Sequence, residues 1–174
     1  MATGQRDDPV LGYNFLITLL DSGGKAESLF SSLQRPPLGG FSECSGLEMT
    51  MQPEEYREGG RNGAVLKFAS RVTWANLRLR RGLATSNALW DWHYAMVEGR
   101  VERRDGIITL QNDQRRPVRI WRFTRGLPVK WSGPTLNASQ NQIAIEELEI
   151  AHEGLKLGAA AALSLSEAGG LLGL

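Results

Sequence analysis

Apolar and polar residues alternate with a period of two through most of the chain. Residues 13–20, YNFLITLL, set Tyr13, Phe15, Ile17 and Leu19 on one side and Leu16 and Leu20 on the other, which predicts a strand. The breakers DSGG and RPPLGG bound a loop insertion over 21–40, inside which AESLFSSLQ has the composition of one or two helical turns. Residues 41–51 alternate again, with Gly46 as an expected bulge. The polar, glycine-rich stretch 53–63 predicts an exposed loop or flexible hairpin, and 64–68 is short and apolar. Residues 71–81 alternate cleanly: Ala75, Leu77 and Leu79 face one way, and Trp74, Asn76, Arg78 and Arg80 the other.

One segment changes period. Over 85–97, Leu89, Trp92, His93 and Met96 recur at helical spacing, with Thr85 or Ser86 as the expected N-cap and Gly99 as the stop. Beyond it, 106–113 and 117–126 predict a hairpin with its turn at Asn112-Asp113-Gln114. Residues 127–134 are broken by Pro128 and Pro134. The stretch 143–157, IAIEELEIAHEGLKL, fits either period. Ala144, Leu148, Ala151 and Leu155 would form a helical stripe, whereas a strand needs a change of phase at Glu146-Glu147. The whole reads as mainly β, antiparallel, with one helix on the sheet.

Charge changes the picture by what it removes. Twenty Lys plus Arg balance nineteen Asp plus Glu, a net charge of +1 in 174 residues, which gives no bulk drive toward nucleic acid or an anionic membrane. A single cysteine, Cys44, excludes a disulfide framework or a four-thiolate zinc site within one chain. No apolar run reaches the roughly 20 residues of a membrane helix, and no signal-peptide pattern opens the sequence. The expectation is a cytoplasmic soluble protein.

Candidate chemistry is sparse. His152-Glu153 lacks the second histidine of an H-E-x-x-H zinc site, and 41–47 is not a nucleophile elbow. No phosphate-cradling G-x-x-x-x-G-K motif occurs, and nothing local supports an activated thiol at Cys44. The expectation is no enzyme, no cofactor and no metal site. The stretch 115–125, RRPVRIWRFTR, interleaves five arginines with Trp121 and Phe123. That pattern suits single-stranded nucleic acid, and equally a strand whose arginine stems cover apolar surface.

An ordered set of short motifs then lines up: ECSGLE at 43–48, EYREG at 55–59, LRRGL at 79–83, WDW at 90–92, VERRD at 101–105, IITL at 107–110, LPVK at 127–130 and NQIAIEELEIAHEGL at 141–155. Together they resemble the tail-tube proteins of contractile phage tails and contractile injection systems. The resemblance implies two packed antiparallel sheets with a flanking helix over 13–157. It further implies six-membered rings that close sheet edges into a lumen-lining barrel and stack as a tube inside a sheath, on baseplate or hub proteins, with cargo or DNA in the lumen. Tyr56, Arg57, Glu58 and Gly59 match the family's loop to a neighbouring subunit. Arg78, Arg80 and Arg81 match its basic strand end, and Glu146, Glu147 and Glu149 become interface or lumen charges. Residues 1–12 form a flexible start, and 158–174 an Ala/Leu/Gly-rich extension beyond the usual end. That extension and the long 21–40 insertion suggest a tube-initiating or baseplate-proximal copy.

Overall fold

A computed structural model describes residues 9–21, 40–59 and 63–159. Most of the 21–40 insertion, with its expected helical turns, the first eight residues and the tail from residue 160 lie outside them. The strands are β1 (Phe15–Asp21), β2 (Glu43–Ser45), β3 (Met49–Met51), β4 (Glu54–Tyr56), β5 (Leu66–Phe68), β6 (Val72–Trp74), β7 (Leu77–Gly82), β8 (Arg104–Gln111), β9 (Pro117–Ser132), β10 (Ile145–Ala151) and β11 (Gly154–Ala159). The helix α1 spans Ala88–Val97. All pairings are antiparallel.

β9 organises the architecture. Its first half lies between β8, which pairs β1, and β11, while its second half pairs β10, which continues to β7 and β2. The sequence expectation of a strand broken at Pro128 is therefore corrected: β9 runs unbroken to Ser132. Pro128 is accommodated at an irregularity, because Glu149 pairs Lys130 while Ile150 pairs Pro128, leaving Val129 as the extra residue. Between the two halves Arg125 takes a left-handed conformation, φ 52°.

The two layers close on one core. Ile17, Ile108 and Phe123 come from the first layer, and Leu77, Leu79, Leu148 and Ile150 from the second. Leu89 and Trp92 of α1 complete it, each such side chain contributing about 1.5–3 kcal/mol by leaving water. Gly106 is required here, since a Cβ would stand 2.2 Å from the Phe123 ring. Adjacent residues Ile107 and Ile108 are both buried, so β8 is covered on both faces, with Leu20, Ile107 and Ile120 forming a second cluster.

The helix departs from expectation in two details. Its N-cap is Asn87 rather than Thr85 or Ser86, without a side-chain cap bond. Its buried stripe is Leu89, Trp92 and Ala95, with His93 and Met96 half-buried at its margin. The small Ala95 lets the helix sit close, and the Trp92 indole donates to the Glu102 carbonyl at 2.8 Å. Gly99, at φ 80°, ends the helix as expected.

Two predicted strands are each divided. Residues 41–51 become β2 and β3, and 71–81 become β6 and β7. Ser45 pairs Arg78 and Met49 pairs Trp74, so a single register runs through both divisions. They form one ribbon, pinched where Gly46 turns at φ 87° with a position for Cβ only 2.1 Å from the Asn76 carbonyl oxygen. β4 and β5 extend it, which places 53–59 on one side of a hairpin.

Candidate assembly interface

The proposed interface residues fall on two parts of this frame. Tyr56 ends β4 far along the ribbon, more than half exposed, its ring edge-on to Phe68 at 6.4 Å. Arg57, Glu58 and Gly59 follow in the exposed hairpin end. The ribbon's β3 and β4 are exposed at every position, as is β5, and Met49, Met51, Phe68 and Val72 all reach water. Sequence reading missed these four as surface residues. The signal available was their position between the polar hairpin and Gly46, where a two-stranded ribbon has no second layer to cover it.

The remaining residues meet across β7 and β10. The register sets Glu146 against Arg81, Glu147 against Arg80 and Glu149 against Arg78. Side chains opposite one another share a face, so one pair points into the core and the other two toward solvent. Arg81 and Glu146 point inward, 1% and 3% exposed. The Arg81 Nε donates to Glu146 Oε1 at 2.6 Å, and Trp131 Nε1 donates to the other carboxylate oxygen at 3.1 Å. Arg81 also donates to the Ser86 carbonyl at 3.0 Å and lies over the Phe41 ring. This pair ties β7, β9, β10 and the approach to α1 inside one chain. It is buried in the single subunit, so the surface set narrows to the other eight residues.

It also corrects the expected phase change at Glu146-Glu147. Glu146, Leu148 and Ile150 alternate inward without interruption, and Ile145 faces out. A glutamate occupies a core position because an arginine opposite neutralises it. The segment is two strands, β10 and β11, and the irregularity lies opposite Glu149-Ile150.

On the outer face Arg80 reaches Glu43 at 3.0 Å and Glu147 at 3.4 Å, while Arg78 stands 4.0 Å from Glu149. Asn76 donates to Glu149 at 2.8 Å. The arginine-dense strand is compensated in part as well: Arg122 pairs Asp105 at 3.1 Å, and Arg125 and Arg103 both reach Glu153, at 2.9 and 3.2 Å. Arg119 and Arg122, three apart in β9, project to opposite faces. No single basic stripe results.

The reactive side chains are built for packing. Burial, and secondarily Glu43, push the Cys44 thiol up to about 11, which suppresses the nucleophilic thiolate. His152 stands between Trp74 and Phe123, at ring distances of 6.0 and 6.2 Å. Burial lowers its pKa, and the backbone at Ala75 and Gly154 pulls it partly back. Among the described residues no three His, Cys, Asp or Glu side chains converge as metal ligands, and no helix is long and apolar enough to cross a membrane.

The family model described as T4-like virus tail tube protein gp19 matches residues 13–156. No curated protein matches. Among solved structures, a chain of the anti-feeding prophage baseplate is 25% identical with a TM-score of 0.75, covering 89% of this chain and 99% of that one. A chain of the extended PVC sheath–tube complex, from an extracellular contractile injection system, is 23% identical at TM-score 0.73, covering 91% and 99%. A chain of the anti-feeding prophage tube-terminating cap is 22% identical at TM-score 0.74, covering 91% and 99%.

Proposed function

We propose a function from one premise: the chain belongs to the T4-like virus tail tube protein gp19 family. It is a structural tail tube protein, a component of a phage tail or contractile injection particle. Its subunits close into hexameric rings, and the rings stack into the tube. The observation that carries this is the ribbon β3–β6 and β4–β5, which leaves the two-layer body with Met49, Met51, Tyr56 and Phe68 uncovered. A lone subunit gains nothing from such a ribbon, and a two-stranded ribbon by itself is marginal in water. Laid on a neighbour, it buries those side chains and brings Arg57, Glu58 and Gly59 to the contact. The open edges at β1 and β2 supply the second junction, since closing a sheet into a barrel removes unpaired edges.

The tube serves within a sheath and on a baseplate, and this copy acts in the ring nearest the baseplate. The long segment 21–40 and the extension 158–174 are the additions that a first ring would use. Catalysis has no part in this role. Negative-stain microscopy of the purified full-length chain tests the reading, with hollow rings or short tubes as the expected result. A persistent monomer, both alone and mixed with baseplate components, overturns it. Normal particles from a chain ending at residue 159, the last of β11, overturn the first-ring assignment alone.

A further inference from the structure

The second layer has a face that the core does not use. The first layer is buried on both sides, as Ile107 and Ile108 show, but β2, β7, β10 and the second half of β9 turn one polar face to water. Six charged side chains stand on it in two cross-strand rows. The register places Glu43, Arg80 and Glu147 in one row, and Arg78, Glu149 and Lys130 in the other. Acid and base alternate along each row, so the three carboxylates are matched by three cations, and the ion pairs at 3.0, 3.4 and 4.0 Å lie within this set.

We infer that this face is the wall of the tube's bore, and that it is neutral by pairing, fitted to pass polypeptide rather than to hold nucleic acid. The inference rests on the tube reading above and adds which surface meets the cargo and what that surface selects. A wall of unpaired cations would retain a polyanion, because each phosphate neutralised releases a counterion. A wall of unpaired carboxylates would hold basic segments in the same way. Here five of the six charges are ion-paired across adjacent strands, and the sixth, Lys130, stands opposite Glu149 in register, so the face sums to zero. A chain of mixed sign slides past without meeting a fixed charge of one sign, and retention must come from an end of the tube.

The test uses tubes assembled from the full chain, with a short fluorescent single-stranded DNA in the presence of excess bulky dextran sulfate, or a fluorescent oligolysine in the presence of excess bulky cationic dextran, so that outer surfaces are occupied. Wild-type tubes are expected to retain neither probe. The variant E43Q/E147Q/E149Q uncovers the cations and should retain the DNA at least about tenfold above wild type at low salt. That excess should fall away as salt rises, with the roughly 0.7-power dependence per phosphate typical of single strands. The mirror variant R78Q/R80Q/K130Q should retain oligolysine instead. Wild-type tubes that hold DNA, or assembled variants that hold neither probe, overturn the inference while leaving the tube intact. If wild type polymerises and neither variant does, the face is a subunit contact, and the inference is overturned. Failure of wild type to form tubes removes the reading on which it stands.

Discussion

Arg81 and Glu146 are the only charged residues among the buried side chains of the described chain, and each is satisfied from more than one direction. Removing one member of such a pair strands a charge in the core, which typically loses about 3–5 kcal/mol. Arg81→Met should therefore lower the unfolding free energy by that order in urea titration. Arg81→Met combined with Glu146→Leu should recover most of it, because replacing a whole buried pair by apolar groups is often close to neutral. Full recovery is not expected, since Trp131 Nε1 loses its acceptor, at roughly 1–3 kcal/mol. A double variant as unstable as the single one would show that the pair is needed for more than neutralisation. His152 gives a pH signature. Its folded-state pKa lies below the ordinary 6.5, so the unfolded chain takes up the proton first. Stability is then complete above about 6.5 and declines as pH falls from there through the lower folded value. Thermal melts across that window should show the decline in wild type and a smaller one in His152→Phe. Equal slopes in the two would refute the assignment.

At the scale of elements, the strands from 13 to 20, 106 to 113 and 117 to 126 were legible because both of their faces are set by local alternation. The rest was hidden by partners distant in sequence. Glu146 reads as a surface residue until Arg81, sixty-five positions away, is placed opposite it. Pro128 reads as a strand end because a proline has no N–H to donate, yet the extra residue Val129 lets the ladder resume. Gly46 reads as an irregularity in the sequence, but the ribbon it belongs to appears only when 41–51 and 71–81 are brought into register. That glycine gives a sharp prediction. Gly46→Ala meets the Asn76 carbonyl at 2.1 Å and must also hold φ 87°. The backbone conformation alone disfavours it by about 1–2 kcal/mol. Amide exchange should speed up in β3 and β6 more than in β8 and β9, and uniform protection would contradict the pinch. Of the candidate site, the family's motifs located the ribbon end and the β7–β10 charges, but not which of those charges lie inside.

At the scale of the molecule, the buried core and the exposed ribbon separate cleanly. The core of Ile17, Leu79, Leu89, Phe123 and Leu148 belongs to the body, while Met49 and Phe68 lie on the exposed ribbon. The double variant Met49→Ser/Phe68→Ser should keep its melting temperature close to that of wild type, since exposed substitutions usually change stability by less than about 0.5 kcal/mol. Under the same conditions it should fail to form rings or tubes in electron micrographs. Normal tubes from this variant would move the contact away from the ribbon.

β9 has a mechanical consequence. It is one covalent chain shared by both layers, an interior strand between β8 and β11 in its first half and the strand beside β10 in its second. A thrust applied to either layer is carried to the other along peptide bonds, not only across side-chain packing. The layers cannot shear past one another without straining that strand, so the subunit bears load as a single body.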